Sequence, residues 1–448
     1  MFKRYIYRNY RSVSGVKYMF TRRITLTGWL MLVGGACMAT LGSDTNLSLG
    51  YQTFSLLAAI IFISLLATPW QRPRVSITRV LPRFGTAGVA MPYQMILRNL
   101  SRRPQRGLKL IEETPDPRPS FEEFSTRREP GEEKRNWFDR TFGYYRWTWL
   151  LAQNTRAHLA ETTAPDLAAG SEQTLRASLM PLRRGVLRLT RITVACPDPF
   201  GLFRSLKKIE DPQNILILPK RYHIPPFDLP GTMKYQQGGV SMASSIGESE
   251  EFASLREYRP GDPMRRMHWK SFAKAGRPIV KEFQEEFFVR HALVLDTFST
   301  PAQTDIFEEA VSVAASLAYT IQNQDSLLDL MFVGPQAYCF TSGRGLSHTE
   351  QVLEILASVQ PCREKEFLAL EHLVLGHAAD ISGCLCVFVE WTESRQKCVK
   401  MLRARGVPVI VFVITDNATP LPPGVMADQP DQFHELKINK IGEILAAL

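Results

Sequence analysis

CLCVFVEWTESRQKCVKMLRARGVPVIVFVIT, residues 384–415, decides the fold of the C-terminal part of this 448-residue chain. Its two ends, 384–391 and 407–415, are continuous runs rich in Val, Ile and Phe, and the amphipathic segment 393–405 lies between them. This order predicts two parallel strands, buried on both faces, that are joined by a helix. Strand and helix patterns alternate in the same way through 287–448. We therefore predict a doubly wound α/β domain over these residues.

A β-rich domain is predicted for 71–218. Short alternating runs such as 174–195 place apolar residues on one face and arginines on the other, which predicts an antiparallel sandwich of about seven strands. An insertion at 118–158 interrupts this pattern, and seven of the fifteen residues at 137–151 are aromatic. Two interpretations are open: core strands of the sandwich, or a patch of Trp and Tyr at the lipid headgroups, where such rings keep one end hydrated.

Two uncharged segments near the N-terminus, 24–42 and 47–68, are long enough to cross a bilayer. Residues 1–23 carry seven basic residues and no acidic one, and further arginines follow the second segment. The positive-inside rule then places both ends of a two-helix transmembrane hairpin, 24–70, in the cytoplasm. Because 1–23 hold most of the net charge of +10, that charge indicates membrane topology and not a nucleic-acid surface.

The segment 219–286 combines a linker with a dense charge pattern. Pro and Gly recur through 219–246, as is typical of an irregular connection. In 247–286, sixteen of forty residues are charged, eight of each sign, which favours an ion-pair network around a turn. A competing interpretation is a metal-dependent hydrolase whose acid–base candidates are Glu251, Asp262, His268 and Lys270.

The run E-F-x-x-L-R-x-Y-R-P-G-D-P-x-R-x-x-x-W-K, which begins at Glu251, resembles the signature of the domain-of-unknown-function 58 family. R-R-G at 183–185, D-P-F-G-L-F at 198–203 and the paired N-terminal helices fit the same family. Two features depart from it: His268 replaces the usual acidic residue, and 118–158 is inserted. The signature residues in this chain are Glu251, Arg256, Tyr258, Arg259, Gly261, Asp262, Arg265, His268, Trp269 and Lys270.

The resemblance implies a von Willebrand factor A-like doubly wound domain, preceded by an antiparallel β-sandwich domain and a transmembrane hairpin. It also implies a multi-pass protein of the bacterial inner membrane whose bulk is cytoplasmic. Such a protein is a scaffold or adaptor without catalytic activity, which works with a MoxR-type AAA+ ATPase in the assembly or quality control of protein complexes. The resemblance also implies a transglutaminase-like membrane protein as a partner. It does not imply a nucleic acid as a partner. A third interpretation of the whole chain is a peripheral lipid-binding module, which would bind the membrane surface through its aromatic insertion.

Von Willebrand modules bind Mg²⁺ through D-x-S-x-S after their first strand, since a hard cation prefers carboxylate and hydroxyl oxygens. Asp296 and Thr300 match the ends of that motif here, and Phe298 replaces its middle hydroxyl. Glu390 lies near the place of the later acidic ligand. The resemblance therefore implies a degraded Mg²⁺ site with Asp296 and Thr300 as ligands and no other cofactor. The alternative is an aspartate that caps the turn after its strand.

Overall fold

The computed structural model divides the chain into two compact units, Met1–Lys220 and Arg221–Leu448. The described residues are 1–41, 48–227, 252–260, 262, 264, 267–283, 290–300, 303–322, 327–342, 346–416 and 419–448. Three members of the predicted signature, Glu251, Gly261 and Arg265, lie outside these ranges.

The first unit contains two sheets that share one apolar core. Their strands are β1 (Val75–Val80), β2 (Phe84–Thr86), β3 (Met91–Asn99), β4 (Lys109–Glu113), β5 (Ala157–Leu159), β6 (Thr162–Thr163), β7 (Glu172–Pro181), β8 (Gly185–Pro197) and β9 (Arg204–Leu218). One sheet has the order β1-β3-β7-β5 and the other β2-β9-β8-β4-β6, with β2 parallel to β9. Every second residue of β1 and β3 is buried, so the pleat turns one face of this sheet to the core. Residues 48–227 thus hold nine strands where about seven are predicted.

A buried ion pair links the two sheets. Nε of Arg79, on β1, lies 3.2 Å from Oε1 of Glu112, on β4 of the other sheet. The hydroxyl of Tyr93 donates to the same oxygen at 3.0 Å. Only 3% of Arg79 and 3% of Glu112 is exposed. Burial raises the pKa of Glu112 to about 7, although the charge of Arg79 acts in the opposite direction.

The N-terminal part of the unit is helical: α1 (Phe2–Arg23), α2 (Leu26–Leu41) and α3 (Ser48–Ala67). In the described part of the chain, one helix is long and apolar enough to cross a membrane, over Leu49–Trp70, while the apolar helix Leu26–Thr40 is shorter. A single candidate span is therefore found where the sequence predicts two. The basic segment 1–23 forms a helix of 22 residues.

The loop 198–203 holds the start of α2. Asp198 accepts hydrogen bonds from the backbone N–H groups of Leu202 and Phe203, at 2.7 and 3.3 Å, and thereby fixes the loop. The backbone of Thr25 in turn donates to the carbonyl of Leu202 at 3.0 Å. A Cβ at Gly28 would lie 2.3 Å from that carbonyl oxygen, so the close approach of helix and loop requires glycine.

The inserted segment folds into three helices, α4 (Phe121–Thr126), α5 (Trp137–Phe142) and α6 (Tyr144–Asn154), and the interpretation as core strands is wrong. Local capping explains the helices. Ser120 forms a capping box with Glu123 at the start of α4, and Asn136 caps α5 by accepting the N–H of Asp139. The segment packs on α1 through a small aromatic cluster of its own.

The second unit begins with a hairpin of β10 (Phe252–Glu257) and β11 (Ile279–Phe283), with α7 (Trp269–Ala275) between them. A six-stranded sheet follows, in the order β14-β13-β12-β15-β16-β17. All its pairings are parallel except that of β14 with β13. Its strands are β12 (Arg290–Leu295), β13 (Leu327–Val333), β14 (Ala337–Ser342), β15 (Gly383–Phe388), β16 (Val409–Thr415) and β17 (Phe433–Lys437).

Within the described residues, five α-helices accompany this sheet: α8 (Thr304–Gln322), α9 (Leu346–Ser358), α10 (Leu368–Gly376), α11 (Glu393–Ala404) and α12 (Ile441–Leu445). The residues of β15 and β16 are buried throughout, as the opening motif predicts for strands covered on both faces. The predicted mostly parallel α/β sheet is confirmed.

Candidate functional site

Asp296 directly follows β12, the strand at which the order of the sheet reverses, and its side chain is fully buried. One carboxylate oxygen, Oδ1, accepts the backbone N–H of Phe298 at 2.9 Å. The other, Oδ2, accepts Nε of Arg395 at 3.1 Å. Burial raises the pKa of Asp296, and these two donors act against that rise. The aspartate is thus paired inside the protein.

Arg395 reaches this position from the first turn of α11, the helix that follows β15. Its Nη1 donates to the hydroxyl of Thr392 at 3.1 Å and its Nη2 to the carbonyl of Phe298 at 3.4 Å. Its guanidinium carbon lies 4.5 Å from the ring centroid of Phe367. Each nitrogen of this buried group therefore has a partner, and a cation–π contact is added.

Thr300, the second predicted metal ligand, takes part in a separate network. Its backbone N–H and its hydroxyl both donate to Oε1 of Gln303, at 2.9 and 3.0 Å. The amide of Gln303 donates in turn to Glu390. Gln303 therefore links Thr300 to Glu390.

The residues in this arrangement do not fit the Mg²⁺ site that the resemblance implies. Both oxygens of Asp296 are already engaged by donors, and the guanidinium of Arg395 places a positive charge where the cation would need an open ligand. The hydroxyl of Thr300 is turned to Gln303. In the described part of the chain, no group of three or more His, Cys, Asp or Glu side chains is arranged to hold a metal ion.

The signature is organised around Asp262. Arg256, on β10, binds its carboxylate in the bidentate manner, with Nη1 to Oδ2 at 2.7 Å and Nη2 to Oδ1 at 2.8 Å. The backbone N–H of Arg259 donates to Oδ2 at 2.8 Å, and the N–H of Asp262 donates back to the carbonyl of Arg259 at 3.0 Å. The hydrogen bonds from Arg256 lower the pKa of Asp262 to about 2. The pair closes the turn after β10.

Two other signature residues, Tyr258 and His268, form backbone hydrogen bonds that close this region. The N–H of Tyr258 donates to the carbonyl of Pro278 at 3.0 Å, and the N–H of His268 to that of Ile279 at 2.8 Å. Nδ1 of His268 lies 2.6 Å from the hydroxyl of Ser271. Trp269 and Lys270 are exposed in the first turn of α7. The role of the signature in function stays a prediction.

Sequence reasoning missed the partners of these acidic groups. Arg395 lies 99 residues after Asp296, and Gln303 lies 87 residues before Glu390. One signal was present: a carboxylate at the end of a strand buried on both faces needs a counter-charge or several hydrogen-bond donors. The arginine at the start of the helix between two central strands satisfies that need.

Comparisons with known proteins find one matching family and weak relatives. Residues 254–430 match the family described as "Protein of unknown function DUF58". The chain is 28% identical to the uncharacterized protein YeaD of Bacillus subtilis (strain 168) over 186 residues, which are 41% of this chain and 45% of YeaD. The match thus spans less than half the length of that relative.

Solved structures give weaker likenesses. The CARDB domain of a Pyrococcus furiosus protein is 13% identical, with a TM-score of 0.18, over 32% of this chain and 93% of that domain. A beta-glucosidase from Listeria innocua is 10% identical, with a TM-score of 0.16, over 32% of this chain and 16% of the glucosidase. TM-scores this low carry no argument about fold or function.

Proposed function

We propose that this chain, which belongs to the DUF58 family through residues 254–430, is a membrane-anchored adaptor and not an enzyme. In this proposal it works with a MoxR-type AAA+ ATPase in the assembly or quality control of other proteins at a bacterial inner membrane. The family name assigns no activity, so the proposal depends on the geometry of the second unit and on the apolar N-terminal helices.

The sheet of the second unit supports a von Willebrand factor A-like domain. Numbered along the chain from β12, its strands have the order 3-2-1-4-5-6, and the third, edge strand is antiparallel. In an open α/β sheet the binding crevice lies where the strand order reverses, here between the carboxyl ends of β12 and β15. Asp296 and Glu390 follow those two strands. In this proposal the domain binds its partner without Mg²⁺, because Arg395 neutralises Asp296.

The N-terminal helices support an anchor in the bilayer. The exposed side chains of α3 include Leu56, Phe62 and Leu65, whose exposed fractions are 62%, 62% and 57%. Such a surface on a helix of spanning length suits lipid. Met31 and Leu32 of α2 join the same apolar cluster as Ile60 and Ile61 of α3. We propose that α2 and α3 form a hairpin with both ends in the cytoplasm.

The observation that carries the adaptor proposal is an exposed tryptophan in the signature. Trp269 is 59% exposed, and Met264 and Leu255 of the same hairpin element are 59% and 41% exposed. Large apolar side chains that face water while the charged residues pair with one another are typical of a protein-binding surface. The bidentate Arg256–Asp262 pair then has a structural task, which is to hold the turn that presents these side chains.

The hydrolase alternative needs a carboxylate that is able to bind a metal or accept a proton. Both oxygens of Asp262 already accept hydrogen bonds from Arg256, and its pKa is lowered, which makes it a weak base. His268, another acid–base candidate of the hydrolase interpretation, is hydrogen-bonded to Ser271. The pairing of these groups favours the adaptor.

The experiment is a binding assay with the whole chain in mild detergent. Wild type, Trp269→Ala and Leu368→Ala are incubated with the purified MoxR-type ATPase of the same organism, and the retained ATPase is quantified. Leu368 is 46% exposed and lies on α10, so it controls for the loss of any exposed apolar side chain. Retention by wild type and Leu368→Ala, with loss in Trp269→Ala, supports the proposal. If folded wild type retains none, the adaptor proposal fails, and phosphodiester hydrolysis by wild type and Asp262→Asn is measured next.

A further inference from the structure

Helix α1 has two apolar faces, and one of them packs within the protein. Ile6 and Tyr7 are 5% and 8% exposed and lie in one cluster with Phe124 and Trp147 of the inserted helices. The ring centroids of Tyr7 and Trp147 are 5.9 Å apart, and the hydroxyl of Tyr7 donates to the carbonyl of Pro119 at 3.1 Å. This face fixes α1 on the rest of the first unit.

The second apolar face of α1 is exposed. At 100° per residue, its side chains fall within a sector of about 120° on the helix. The exposed fractions are Phe2 53%, Tyr5 70%, Val13 59%, Val16 50%, Met19 44% and Phe20 44%. We call these six residues the α1 stripe. Six large apolar side chains on one side of one helix form a surface that suits an apolar partner.

The charges around the α1 stripe indicate what that partner is. Residues 1–23 contain seven basic residues and no acidic one. Arg8 and Lys17 are exposed and flank the α1 stripe on its two sides. A helix with an apolar face between basic residues is typical of a segment that lies in the interface of a membrane with anionic lipid.

The connection to α2 favours lipid over a protein partner. The helix ends at Arg23, and Ile24 has an extended backbone, with φ −98° and ψ 129°, before α2 begins at Leu26. Two residues, Ile24 and Thr25, separate the helices, and the extended backbone of Ile24 allows the chain to change direction. A helix tied this closely to an apolar hairpin is held at the membrane surface whenever the hairpin is inserted.

We infer that α1 lies in the plane of the membrane–water interface, with the α1 stripe among the acyl chains and the flanking Arg8 and Lys17 at anionic headgroups. The inference rests on the proposed anchor, because the hairpin brings α1 to the bilayer. It adds that the first unit is held against the membrane along 22 residues of helix, and not by a flexible basic tail.

Nitroxide labels on the full chain in nanodiscs of phosphatidylglycerol and phosphatidylethanolamine test this inference. The exposed Cys37 and Cys339 are first replaced by Ser. Val16→Cys reports on the α1 stripe, Leu56→Cys on α3, and Glu133→Cys, whose side chain is 86% exposed, on water. Collision rates with oxygen and with a water-soluble nickel chelate are measured at each label. Circular dichroism and the elution volume verify that each variant is folded.

We expect the ratio of oxygen to nickel collisions at position 16 to be several-fold higher than at 133 and close to that at 56. A water-like ratio at 16 with a lipid-like ratio at 56 overturns the inference and leaves the anchor intact. Low access of both reagents at 16 indicates a protein contact, such as a second copy, and also overturns it. A water-like ratio at 56 contradicts the anchor itself, and the inference fails with it.

Discussion

Arg395 donates from Nε to Oδ2 of Asp296 at 3.1 Å, and both side chains are buried, with 8% and 0% of their surfaces exposed. The pair lies at the carboxyl edge of the sheet, beside the point where the strand order reverses. In this position the guanidinium of Arg395 offsets the charge of the buried carboxylate. The Asp296–Arg395 pair is therefore neutral and fixed without a ligand.

Breaking this pair is expected to be costly. Arg395→Met leaves a buried, unpaired carboxylate and is expected to lower the free energy of unfolding by about 3–5 kcal/mol. In Asp296→Asn/Arg395→Met no buried charge remains, so the double variant should lose less than the sum of the two single variants. The free energies of unfolding of the wild type, the two single variants and the double variant are measured by denaturant unfolding in detergent. Lys400→Met is the control on the same helix, because Lys400 is exposed and its loss leaves no buried carboxylate behind. Additive losses at Asp296 and Arg395 would contradict the coupling.

Mg²⁺ is expected to leave the wild-type chain unaffected. A cation that binds only the folded state raises the unfolding temperature. Both oxygens of Asp296 already accept hydrogen bonds, so this carboxylate is not open to Mg²⁺. The midpoint of thermal unfolding should therefore be the same with millimolar Mg²⁺ and with a chelator. Ca²⁺ at the same ionic strength controls for general salt effects. A midpoint that rises with Mg²⁺ alone would support the Asp296 and Thr300 site that the family resemblance implies.

Alanine substitutions at two glycines of α2 are expected to have opposite effects on stability. In Gly28→Ala the new Cβ would lie 2.3 Å from the carbonyl oxygen of Leu202, whose loop is fixed by Asp198 and has little freedom to move. We expect a loss of about 1–3 kcal/mol, as for other overpacked sites. Gly34→Ala meets no atom within 4 Å and should keep or slightly raise stability, because alanine favours a helix. Unfolding midpoints of the two variants in the same detergent compare them. Equal midpoints would exclude the close contact.

The parts of the fold that the sequence predicts well are those in which a short-range pattern coincides with burial. β15 and β16 are apolar throughout because both faces are covered. The edge strand β17 was missed, since Phe433–Lys437 is mostly half-buried and has no such run. The inserted segment is rich in aromatic residues, which favour strands, but the N-caps Ser120 and Asn136 start helices there. These caps are local signals and were available in the sequence.

The candidate site is less predictable, because its contacts are distant along the chain. The motif placed Asp296, Thr300 and Glu390 at one edge of a sheet, but it gave no indication that Arg395 and Gln303 join them. The Arg256–Asp262 pair is separated by six residues and fits the ion-pair network predicted for that turn. Pairing within one turn is predictable from spacing, whereas pairing between the ends of two strands requires the fold.

The buried Glu112 should make the stability of the first unit depend on pH near neutrality. Its pKa in the folded chain is about 7, above the ordinary value of 4.5, so between these values the folded state keeps a proton that the unfolded state releases. The free energy of unfolding should therefore fall as pH rises from about 4.5 to 7 and change little above that range. Glu112→Gln removes this titration and should flatten the profile, whereas Glu133→Gln, at an exposed position, should retain the wild-type slope. Unfolding followed by circular dichroism between these pH values checks both variants. A wild-type profile that is flat through this window would mean that Arg79 dominates over burial and keeps Glu112 ionised.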